Sequence, residues 1–129
     1  MIERNNFILI EELFFKNLNE TAYNYENVIK KIKVLELKGF VILGGDVIKY
    51  DGVTAKYTYD NWYFNPDEYS YDILKYSAQK AIDYIEKYNE IDKDCFYSLC
   101  VEFQGVNYGN KKNQWKYIYQ QRRNKWIIF

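Results

Sequence analysis

The chain of 129 residues contains no histidine. Without an imidazole, Ser-His-Asp and Cys-His catalytic constellations and His-ligated zinc or haem sites are excluded. Cysteine is almost as scarce, with Cys95 and Cys100 the only two. They lie in a strand-like segment, on opposite faces and roughly 16 Å apart at ~3.3 Å per residue. A disulfide tolerates about 7 Å between Cα atoms, so the pair cannot bridge. Both read as reduced structural thiols, as suits a cytosolic protein. Long apolar runs are also missing. The stretch Phe7–Ile10 is too short for the core of an export signal and runs at once into Glu11 and Glu12. No run approaches the ~20 residues of a membrane span. A soluble, cytoplasmic protein is expected.

Aromatic side chains are what the chain has in excess: fifteen Tyr, eight Phe and three Trp make 20% of it. Apolar residues at 48% and charged residues at 28% are ordinary globular values and exclude a disordered or low-complexity chain. Two domains would each be too small to bury a core, so one domain over residues 1–129 is expected.

The eighteen basic and eighteen acidic side chains give no net charge, but they are not mixed evenly. Residues 1–103 hold all eighteen acidic and twelve of the basic ones, whereas residues 104–129 hold six basic and none acidic. An acidic body is suited to steering a basic partner. The basic segment interleaves Lys111, Lys112, Lys116, Arg122 and Arg123 with Trp115, Tyr117, Tyr119 and Trp126. Such a segment either stacks on and neutralises a nucleic acid or folds back onto its own acidic body.

Periodicity predicts the elements. Ile10, Leu13, Phe14 and Leu18 suggest a first amphipathic helix over about Phe7 to Leu18. Val28, Ile29, Ile32 and Leu35 predict a second helix, stopped by Gly39. Phe40–Leu43 reads as a buried strand interrupted by Gly44-Gly45. Asp51-Gly52 predicts a two-residue hairpin turn, pairing Tyr50 with Val53, Ile48 with Ala55 and Asp46 with Tyr57, which puts Asp46 on an apolar face. Asn65-Pro66-Asp67-Glu68 has the form of a capping box opening a helix from Pro66 or Ser70 to Tyr88. Residues 94–103 alternate as one strand, with Cys95, Tyr97, Leu99, Val101 and Phe103 on the bulkier face. A last hairpin turns near Arg122-Arg123-Asn124. This order indicates an α+β domain, a mostly antiparallel sheet with helices packed on one face.

Gly44-Gly45-Asp46 lacks the spacing of a phosphate loop and is followed by a strand, so it reads as a bulge whose aspartate is structural or partner-binding. Asp60-Asn61-Trp62-Tyr63 combines residue types of binding hot spots, or else packs its Trp under the helix. Asp46 and Asp60 are a candidate pair for acid-base work, but no histidine or metal set supports them, and an enzyme is not expected.

Leu35 to Gly39, Val41 to Val47 with its Gly-Gly-Asp, the Asp60–Tyr63 block some thirteen residues on, and Ser77, Ala81, Tyr84, Ile85 and Tyr88 together carry a resemblance. In their order and spacing they resemble the immunity protein 40 family of bacterial polymorphic toxin systems. The resemblance covers about residues 28–103 and leaves out residues 1–27 and the basic aromatic extension 104–129. It implies a small non-enzymatic cytoplasmic protein that binds and neutralises a cognate toxin domain, with no cofactor or metal. For the partner surface the residue chemistry nominates Asp46, Asp60, Trp62 and Tyr63, assisted by the acidic Glu68 and Asp72. The rival is a nucleic-acid-binding module built on the basic C-terminal segment, and a small-ligand site is a third reading.

Overall fold

The computed structural model describes residues 9–105 and the backbone of two further strands. Along the chain these are β1 (Leu13–Phe15), β2 (Glu20–Asn24), α1 (Tyr25–Leu37), β3 (Phe40–Tyr50), β4 (Ala55–Tyr63), a 3-10 turn (Pro66–Glu68), α2 (Ile73–Ile91), β5 (Cys95–Tyr97), β6 (Cys100–Phe103), β7 (Tyr117–Gln120) and β8 (Lys125–Ile128). The first six strands make one antiparallel sheet in the order β1-β2-β5-β3-β4, and β6 joins the other half of β3. Both helices pack on one face. Val28, Ile32 and Leu35 of α1 and Ala78, Ala81 and Ile85 of α2 share a core with Phe40, Ile42, Val47, Trp62, Cys95 and Tyr97. The expected α+β architecture is what forms.

The opposite face carries a smaller core of Phe15, Ala22, Ile48 and Ala55, with Tyr50, Tyr57 and Phe96 against it. That core explains why the expected first helix is absent among the described residues. Phe15 is buried against the rings of Tyr50, at 4.8 Å, and Phe96, at 5.4 Å, while Phe14, which the helical spacing would bury, is 60% exposed. The segment alternates as a strand and turns back through Asn19, whose φ of 56° lies in the left-handed region. Phe7 and Ile8 fall outside the described residues.

The second helix forms where expected, its N-terminus capped by Asn24 Oδ1, which accepts from the Asn27 N–H at 2.9 Å. Gly39, at φ 90°, ends it. Asn65 caps only the 3-10 turn, and α2 starts afresh at Ile73. The single strand expected over residues 94–103 is broken at Ser98-Leu99, yet its bulkier face still meets the helices. Cys95 is buried, Cys100 is exposed and both thiols are free, as the spacing required. The terminal hairpin pairs Tyr119 with Trp126; its turn, Arg122-Arg123-Asn124, is outside the described residues.

The hairpin of β3 and β4 departs from the expected register. Tyr50 pairs with Ala55 and Ile48 with Tyr57, so the connection is 51–54 and not a two-residue turn. Asp51 is the reason: its Oδ1 accepts the N–H groups of Val53 and Thr54, each at 2.8 Å, and closes a wider loop. A shift of two preserves alternation, so Ile48, Ala55 and Tyr57 still share a face. Asp46, however, pairs with Asn61 and not with Tyr57, because the shift of two is followed by a bulge in which Thr58, Tyr59 and Asp60 together oppose Val47. Nor does Gly44-Gly45 interrupt β3. The strand runs through it with a second bulge on the β6 side, between Ile42 and Gly44, and its core-facing positions change from Phe40 and Ile42 to Val47.

Candidate functional site

Two glycines let three segments of backbone close on one another. A Cβ on Gly45 would stand 2.1 Å from the Ser98 carbonyl oxygen and 2.5 Å from the Trp62 ring, and one on Gly44 would stand 2.3 Å from the Trp62 carbonyl oxygen. Side chains are therefore excluded where β3, β4 and the β5–β6 link converge. Ser98 ties that convergence together, its N–H donating to the Asp46 carbonyl at 3.0 Å and its Oγ accepting from the Asp46 N–H at 3.2 Å.

The outcome is an open groove of about 930 Å³, lined by residues 43–46, by 61–67, by Ser98, Leu99, Cys100 and Glu102, and by Glu20. Among the described residues four of the lining side chains are carboxylates, Glu20, Asp46, Asp67 and Glu102, and none is a lysine or arginine. Lys80 reaches the Tyr63 carbonyl from α2 without entering the groove. Tyr57 donates its hydroxyl to Glu20 Oε2 at 2.9 Å, and its phenol is pushed up to about 12 by burial first, then by Glu20 and Asp46. Like charges gathered in a concave, partly apolar trough focus their field outward.

The six residues nominated from sequence do not form one site. Asp46 and Tyr63 lie in the groove, Asp46 half-buried and Tyr63 66% exposed. Trp62 contributes to the wall but is only 6% exposed and packs on Tyr84 of α2 at 5.2 Å, so it takes the role of packing under the helix. Asp60 belongs to the helix side, where Tyr88 donates to its Oδ2 at 2.6 Å. That bond first, and burial second, push the Tyr88 hydroxyl up to about 12. Asp46 and Asp60 therefore do not converge. Glu68 and Asp72 are exposed but outside the groove. Glu20, Asp67 and Glu102 line the groove without standing out in the sequence as site residues. Glu102 had a signal, since alternation places it opposite the core-facing Val101 and Phe103; Glu20 had none.

Chemically, the groove offers acceptors and aromatic edges. Among the described residues no group of three or more carboxylates or thiols is placed to hold a metal ion. The Cys95 thiol is pushed up to about 11, by burial and then by Asp92, and stays protonated near neutrality. None of the described helices is long and apolar enough to cross a membrane.

No curated protein and no solved structure matches the chain. A family model described as immunity protein 40 matches residues 12–101, which extends the resemblance forward to take in β1 and β2.

Proposed function

Since the chain belongs to the immunity protein 40 family, we propose that it is a non-enzymatic inhibitor: it binds a cognate toxin domain in the cytoplasm of the producing cell and blocks it. The family match over residues 12–101 carries this reading. An exposed, carboxylate-lined groove with a tyrosine at its edge supports it, because tight protein interfaces draw on amphipathic aromatic anchors and complementary charge. The nucleic-acid reading rests on the basic extension alone. Its Lys111, Lys112, Trp115, Lys116, Arg122 and Arg123 lie outside the described residues, and an acidic body opposes a phosphate backbone.

Co-expression with the toxin domain encoded beside this gene is the direct test. Survival of cells that the toxin alone kills, with a complex that co-elutes on a sizing column, is expected. Continued killing without a complex refutes the proposal.

A further inference from the structure

We infer that the groove between β3, β4 and the β5–β6 link is the surface that receives the toxin, and that the segment seated there carries lysine or arginine side chains. The inference rests on the inhibitor reading and adds to it a surface and a partner chemistry.

Three observations carry it. First, among the described residues the groove is lined by Glu20, Asp46, Asp67 and Glu102 and by no lysine or arginine, although twelve basic side chains are available in residues 1–103. Second, among the described residues only Glu20 of these carboxylates accepts a side-chain hydrogen bond, from Tyr57, and half-buried Asp46 accepts none there. Carboxylate acceptors form charge-assisted hydrogen bonds with guanidinium and ammonium donors. Third, Gly44 and Gly45 add no side chain to the lining and Tyr63 in it is mostly exposed, so a long cationic side chain can lie with its stem against apolar surface and its head at the carboxylates. The same charge pattern repels a nucleic acid.

The rival occupant is the basic segment 104–129 of the chain itself. The experiment uses the full chain and the neighbouring toxin domain with its activity disabled, and compares two double variants that each remove two negative charges. D46N/E102Q alters the groove, and E86Q/E90Q alters exposed positions on α2. Both substitutions in each pair are near-isosteric, and thermal melts confirm folding. Calorimetry at low and high salt is expected to show the groove pair weakened about tenfold or more with a flatter salt dependence, and the α2 pair within about threefold of wild type. Equal weakening by both pairs reduces the effect to overall charge and overturns the inference. Tighter binding by the groove pair shows that the chain's own basic segment competes there, and also overturns it.

A second readout needs no substitution. Exposed Cys100 lines the groove while Cys95 is buried, so a maleimide labels Cys100 in the folded chain. Toxin binding should protect Cys100, and prior labelling should block the complex. Full-affinity binding by the labelled chain refutes the groove assignment and leaves the inhibitor reading standing. No complex with unmodified wild type overturns both.

Discussion

Replacing Gly45 by alanine adds one methyl group, and the structure says where it goes. The new Cβ meets the Ser98 carbonyl oxygen at 2.1 Å and two atoms of the Trp62 ring at 2.5 and 2.9 Å. Neither neighbour gives way cheaply. Ser98 is held by its two hydrogen bonds to Asp46, and Trp62 is wedged against Tyr84 in the helix-side core. Overpacking costs about 1–3 kcal/mol when the surroundings can relax. With a backbone oxygen and a buried ring on two sides, a loss of about 3 kcal/mol is expected, the upper end of that range. For a chain of this size that lowers Tm by roughly 10 °C. Urea unfolding followed by circular dichroism measures it, with an unchanged m-value confirming that the transition remains comparable. Gly52→Ala is the control, since Gly52 has φ of +96° but nothing within 4 Å of its Cβ position. It should lose only the about 1 kcal/mol of left-handed strain. If Gly45→Ala costs under about 1 kcal/mol, or less than Gly52→Ala, the claim that steric exclusion shapes the groove is wrong.

Two further substitutions test the clamps between helix and sheet. Ser77 is fully buried; its Oγ accepts the Ile42 N–H at 2.9 Å and donates to the Leu74 carbonyl at 3.1 Å. Ser77→Ala orphans that N–H and should cost about 1–3 kcal/mol in urea unfolding, and a neutral effect would deny the clamp. Tyr88→Phe removes the donor to Asp60 at a partly solvated site and should cost about 0.5–1 kcal/mol near neutral pH. Because the folded-state value of Tyr88 is raised, to about 12 from an ordinary 10.0, its contribution is present below pH 10 and fades as pH rises towards 12. The difference between wild type and Tyr88→Phe should therefore shrink in alkali. A constant difference from pH 8 to pH 12 would contradict that linkage.

The groove assembles from pieces that no single stretch of chain announces. Gly44-Gly45-Asp46 stands out as a local motif because two adjacent glycines and an acid in a strand call for a reason. Asp67 sits in the cap sequence Asn65-Pro66-Asp67-Glu68, where it reads as helix chemistry. Glu20 follows a segment whose spacing suggests a helix, and it reaches the groove only because Phe15 finds Tyr50 and Phe96 and turns that segment into a hairpin. The same holds for Asp46 and Asp60. As residue types they look like a pair, yet the bulge of Thr58 to Asp60 and the tyrosine of α2 send one to the groove and the other to the helix side.

The helical periods of Val28 to Leu35 and Leu74 to Ile85, the alternation from Cys95 to Phe103, the separation of the two thiols and the uneven spread of charge are all properties of neighbours along the chain. Periodicity and chemistry sufficed to read them, and with them the α+β class. Strand register, the two bulges and the fate of residues 9–18 depend on partners distant along the chain, such as Val47 facing three residues of β4, and a local pattern carries no information about them. The groove inherits that dependence. Its carboxylates come from four separate elements or turns, and they became neighbours only when the sheet brought β2, β3, the 3-10 turn and β6 around a backbone too crowded for a methyl group.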